Sequence, residues 1–253
     1  MSQESESNIE LLSEIARLKC HIDEVQRELV EQQRTWQALR ANEESLEHLR
    51  PLDHSGNSSI YEAECQAEVN LGEDYLALGN YDRARQYLET VRKHSRDPEY
   101  HWARFRWKTR CLLALGEVAL AQGEVAAAQT YLEEAKADGW LDGFPMKKYQ
   151  VRAARLQGNI HAALGKPREA EQALRSSLER AEALGFPTPL WQTRRSLGDL
   201  YHGQAKSADA RAQYGQAREI VQGIADGLTD EELKRGFLES TTIRDLLRLA
   251  NRE

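Results

Sequence analysis

A row of basic and polar residues recurs at helical spacing through the middle of the chain: Arg106 and Arg110, then Lys148, Arg152, Arg155 and Asn159, then Gln192, Arg195 and Asp199. Guanidinium groups present planar forks that match carboxylates with paired hydrogen bonds, so such a row suits capture of an acidic peptide segment or a terminal carboxylate. Carboxylates are interleaved on the same face at Glu73 and Glu117, and a charge row on a helix can equally be a solvated surface. Catalytic constellations are missing from the sequence. There is no phosphate loop, no HExxH and no GxSxG, and His21, His48, His54, His94, His101, His161 and His202 are scattered. Cys20, Cys65 and Cys111 form no CxxC or other ligand spacing, which argues against a zinc site or a disulfide framework. The expectation is binding without catalysis and without a cofactor.

A second stretch, His101-Trp102-Ala103-Arg104-Phe105-Arg106-Trp107-Lys108, interleaves aromatic and basic residues as binders of single-stranded nucleic acid do. On a helix, however, Trp102 and Phe105 share the face that leads to Leu112 and Leu115, so packing accounts for them. The formal charge of -7 also argues against a phosphate backbone as the general partner. Nucleic-acid binding through residues 101–110 stays an alternative of a different class.

The elements that must position these residues are helices. The 253 residues are rich in Ala, Leu, Glu, Gln and Arg and poor in strand formers, and the 40% hydrophobic content is spread over many alanines. That balance suits thin layers of closely packed helices. Four segments fall into register. They run from Leu71-Gly72 to Leu88, from Leu115-Gly116 to Leu132, from Gln157-Gly158 to Leu174, and from Leu197-Gly198 to Tyr214. In each, the first glycine lets two helices approach, and Ala84, Ala128, Ala170 or Ala210 is the small residue expected to face it. Gly79, Gly123 and Gly165 stand where a helix must end in a left-handed residue.

This pattern resembles the tetratricopeptide repeat, over about residues 59 to 227. The family's tryptophan three residues before the Leu-Gly pair is replaced by Glu68, Leu112, Ala154 and Arg194. Steps of 44, 42 and 40 residues between glycines exceed the family's ~34, so the helices are longer. The spacing is similar to that of kinesin light chains and of bacterial signalling regulators. The resemblance implies an all-α, right-handed superhelical solenoid of helical hairpins, with four hairpins over residues 60–227. It implies an adaptor or scaffold whose concave face holds a segment of a partner protein. Extrapolated from the Leu-Gly pairs, that face carries the row above together with Gln66, Asn70, Glu73, Leu113, Glu117 and His202.

Residues 1–50 read as one helix with a heptad seam of Leu11, Ile15, Leu18, Ile22, Val25, Leu29, Trp36, Leu39 and Leu46. So narrow a stripe must meet a second copy or dock on the repeats. Homodimerisation through this coiled coil is the expectation, and an autoinhibited regulatory subunit whose N-terminal helix fills the groove is the alternative. Pro51, Gly56 and the serines around them make 51–59 a linker. Residues 228–253 read as capping helices: Thr229-Asp230-Glu231-Glu232 resembles a capping box, Leu233, Phe237 and Leu238 share a face, and Ile243, Leu246, Leu247 and Leu249 follow. No signal core or run of about 18 apolar residues is present, which leads to the expectation of a cytoplasmic protein with no membrane partner. Asp97-Pro98, Pro167 and Thr188-Pro189 are expected to open helices, and Trp140 and Phe144 to tuck under their neighbours.

Overall fold

A computed structural model of the chain describes residues 39–52, 58–96, 103–137 and 147–251, with side chains given from 59 in the second stretch and from 107 in the third. The seam residues Leu11, Ile15, Leu18, Ile22, Val25, Leu29 and Trp36 lie outside the described residues, as do Asp97, Pro98, Trp140 and Phe144. Within them the chain is helical throughout and contains no strand. A first helix, α1, covers 39–49. Four hairpins follow: α2 Ser58–Ala77 with α3 Tyr81–His94, α4 Ala103–Ala121 with α5 Val125–Ala137, α6 Lys147–Ala163 with α7 Pro167–Leu184, and α8 Pro187–Gly203 with α9 Ser207–Asp226. Two short helices close the described chain, α10 Glu231–Glu239 and α11 Thr241–Ala250. Each helix packs mainly on its hairpin mate and on the next hairpin, as in a solenoid.

The four tight turns are one device repeated. The amide of Asn80 donates to the carbonyl of Tyr75 at 2.9 Å, Glu124 to Ala119 at 2.8 Å, Lys166 to His161 at 2.9 Å and Lys206 to Tyr201 at 2.9 Å. Such a six-to-one closure needs a left-handed residue just before the donor. Gly79, Gly123 and Gly165 supply it with φ of 73°, 78° and 68°, and in the fourth hairpin Ala205 holds the same position at φ 58°. Its Cβ makes that turn costlier than the others by about 1–2 kcal/mol.

The repeat glycines do what the spacing predicts, against different neighbours. A Cβ on Gly72 would meet Leu88, one on Gly158 would meet Leu174 and one on Gly198 would meet the Tyr214 ring, while Gly116 faces Leu156 of the next hairpin. The predicted alanines Ala84, Ala128, Ala170 and Ala210 are buried, but it is the large side chain one turn later that rides over the glycine in three hairpins out of four. Two helix ends also differ from expectation. α8 begins at Pro187 with Phe186 extended before it, because a proline at the first helical position sacrifices no hydrogen bond. Asp230, not Thr229, caps α10, accepting from the amides of Glu232 at 2.8 Å and Leu233 at 2.9 Å.

α1 lies antiparallel along α2. Leu39 and Leu46, the last two seam residues, are wholly buried at 0% and 2% exposure in the core of the first hairpins, so within this fold they serve the chain itself. Glu43 accepts from the Tyr75 hydroxyl at 3.0 Å, and Asn42 bridges Asn70 and Asp74. At the other end the Arg50 guanidinium lies 3.6 Å from Glu68. Burial, reinforced by Glu64 one turn away, pushes the Glu68 carboxyl up to about 7. Beside it Cys65 and Cys111 are buried free thiols, and burial with the nearby carboxylates raises Cys65 to about 12. A thiol held protonated in this way is inert packing.

Candidate functional site

The inner wall of the solenoid is lined by α2, α4, α6 and α8, and on it three arginines of the expected row, Arg110, Arg152 and Arg155, form a continuous chain of ion pairs with Glu73 and Glu117. Arg110 of α4 donates to Glu73 of α2 at 2.5 Å and to Asn70 at 3.0 Å. Arg152 of α6 reaches Glu73 at 2.5 Å with one nitrogen, and grips both oxygens of Glu117 of α4 at 3.1 and 2.6 Å with the other two. Arg155, one helical turn along, donates to Glu117 at 3.1 Å and to the Gln192 amide oxygen of α8. Three guanidinium groups and two carboxylates thus stitch α2, α4 and α6 together across sequence separations of 35 to 79 residues, and the Gln192 amide joins α8 to them.

Burial works to raise both carboxyls, yet their partners win: Arg152 and Arg110 hold Glu73 below the usual carboxylate range, and Arg152 and Arg155 do the same for Glu117. Arg152 is stabilised in its charged form by the two glutamates, whereas burial lowers Arg155, which shares Glu117 with its neighbour.

The other residues of the row divide. Lys148 is exposed, its Nζ 4.9 Å from the Tyr149 ring centre. Asn159 is half-buried on α6. Arg195 donates to the backbone carbonyl of Thr242 at 2.9 Å and lies 3.9 Å from Asp199, which accepts from the Tyr214 hydroxyl at 2.8 Å. Arg195 therefore latches the C-terminal helices to the wall. Arg106 belongs to α4, but its side chain is outside the described residues. Trp107, in the basic-aromatic stretch, is 4% exposed and offers no stacking surface.

In front of this wall lies a cleft of about 1260 Å³. Small-molecule sites hold roughly 300–1,000 Å³, so this one is on the scale of a peptide segment. Among the described residues the lining carries five cationic side chains, Arg110, Lys148, Arg152, Arg155 and Arg244, and two carboxylates, Glu73 and Glu117, a formal excess of positive charge. Its rims come from opposite ends of the repeat array: the α2–α3 turn on one side, and Phe237 with Ser240–Arg244 on the other. Periodicity counted within hairpins points to the wall but not to these rims or to Trp191. They reach the cleft because the array curves, and curvature accumulates from small rotations between hairpins that no local pattern records. Among the described residues no cluster of three or more metal-ligating side chains occurs, and no helix is long and apolar enough to cross a membrane.

Tetratricopeptide repeat models match residues 69–93, 109–134 and 151–176, the glycine-to-leucine spans of the first three hairpins. No curated protein sequence matches the chain. In structure it is similar to BtubC (BKLC) from P. vanneervenii, with a TM-score of 0.52 over 85% of each chain at 16% identity, a likeness of fold. With the spans matched, the turns shared and the helix order of a solenoid, the chain carries tetratricopeptide repeats, a module that generally mediates contact between proteins.

Proposed function

We propose that the protein is an adaptor whose concave cleft binds an acidic segment of a partner protein. The observation that carries this reading is the cationic excess of the cleft in a chain of net charge -7, since a field opposite to that of the whole surface steers and holds a guest of one sign. Lys148 tests it best, being exposed and outside the ion-pair chain. A fluorescent oligoglutamate peptide should bind the protein with an affinity that falls steeply with salt, and Lys148→Glu should weaken it about tenfold with an unchanged unfolding midpoint. Binding indifferent to both salt and Lys148 would remove the reading.

The heptad seam N-terminal to α1 supports self-association, which would raise the apparent affinity for a repeated target by effective concentration. The docking of α1 on its own first hairpin favours a second reading, in which the N-terminal region restricts access to the cleft. Removal of residues 1–38, which spares the buried Leu39 and Leu46, separates the two. Tighter guest binding marks the restricted cleft, and weaker binding to an immobilised repeated target marks the dimer.

A further inference from the structure

The C-terminal helices differ in how deeply they are anchored: α11 buries two side chains, whereas α10 packs only the half-buried Phe237 and Leu238 on the same core. α11 packs on α9, burying Ile243 and Leu246 at 2% and 0% exposure, and is tied to α8 by the Arg195 bond to Thr242. α10 has no buried residue, although Leu233, Phe237 and Leu238 give it one apolar side. An ion pair of 3.5 Å from Lys234 to Asp226 ties it to α9. Phe237 lines the cleft, and Leu233, one turn earlier on the same side, is 59% exposed. Across the opening stand Leu76, Leu78 and Tyr81 of the first hairpin. Leu233 leaves most of its side chain in solvent, and Phe237, Leu76, Leu78 and Tyr81, half-buried on the core, turn their remaining apolar edges to the cleft where a guest held by the arginines would lie.

We propose that α10 is a second recognition element, whose Leu233–Phe237 side takes apolar residues of the guest, so that the partner is a segment both acidic and amphipathic. The proposal rests on the reading that the cleft holds an acidic segment, and adds to it the other half of the guest's chemistry. The arginine wall selects the carboxylates, and α10 with the α2–α3 turn opposite it takes the leucine-like side chains.

The experiment uses the full chain and two labelled synthetic peptides. One is a helical 15-mer with leucine on one stripe and glutamate elsewhere; the other has each leucine replaced by serine. Fluorescence anisotropy should show the leucine peptide bound at least tenfold more tightly by the parent protein. In a Leu233→Ser/Phe237→Ser variant that advantage should vanish while the serine peptide binds as before, and Leu233→Ser alone, at an exposed position, should show a partial loss with the helical circular dichroism unchanged. Equal binding of the two peptides by the parent protein, or an advantage that survives in the variant, would overturn the role of α10. Failure of both peptides to bind would instead bring down the acidic-cleft reading and this inference with it. Tighter binding of a peptide of residues 1–38 than of the leucine peptide would overturn a partner protein as occupant in favour of the chain's own N-terminus.

Discussion

Replacement of Arg152 by alanine is expected to lower unfolding stability by about 3 kcal/mol, among the largest effects of any single change on the inner wall. The side chain is 18% exposed and its guanidinium contacts Glu73 and Glu117, themselves 25% and 22% exposed. Truncation leaves Glu117 with Arg155 and Glu73 with Arg110, so each partly buried carboxylate loses its second cation and the hydrogen bonds that came with it. The pH dependence identifies the cause. Both carboxyls are held below their unfolded value in the folded protein, so their contribution is fully present above the unfolded value of 4.5 and is lost as the pH falls through the lower folded values. The parent protein should therefore lose stability steeply on acidification below about pH 4.5, and Arg152→Ala should lose less, so that the gap between them narrows. Urea titrations between pH 3.5 and 7.5 measure this directly. A gap that stays constant across that range would mean that lost packing, not the ion pairs, accounts for the cost. Adding Glu73→Gln and Glu117→Gln to Arg152→Ala should deepen the loss, because Arg110 and Arg155 then lose the carboxylates that balance them.

The same network shows where sequence reasoning about the site stops. Arg110, Arg152 and Arg155 fall on one face by helical period alone, and so do Glu73 and Glu117, which is why the composition of the wall is legible before any fold is built. Whether cations and anions meet is not legible. Arg152 pairs with Glu73 across 79 residues and the three helices α3, α4 and α5, and the distance between α2 and α6 depends on the tilt of each hairpin against the next. The helix ends obey a similar division. Gly79, Gly123 and Gly165 announce their turns because only glycine enters the left-handed region cheaply, while Ala205 makes the same turn without the signal and is recovered from register with its three counterparts. Leu39 and Leu46 read as members of an intermolecular seam, since period alone cannot separate a stripe that meets another chain from one that meets its own.

Substitution of Gly158 by alanine should cost about 2 kcal/mol even though alanine is the better helix former by about 1 kcal/mol. The new Cβ would stand 2.5 Å from Cγ of Leu174 and 3.2 Å from the carbonyl oxygen of Ala170. Leu174 is 1% exposed and Ala170 is wholly buried, so neither the side chain nor the α7 backbone has free space into which to retreat. The closest atom is the branch point of the leucine, not its tip, so a rotamer change alone does not relieve the overlap. α6 and α7 must separate, and every contact along that hairpin loosens with them. Leu174→Ala by itself should cost about 3 kcal/mol by opening a cavity over the glycine. In the double variant the alanine methyl at 158 partly fills that cavity, so the combined loss should fall below the sum of the two by at least 1 kcal/mol. Strict additivity in a double-mutant cycle would show that Gly158 and Leu174 do not meet, and with that the closest approach of the third hairpin would be lost. A subadditive cycle here, repeated at Gly72 with Leu88, would show that the glycine register seen in the sequence is a register of helix crossings, on which the spacing of the arginine wall depends.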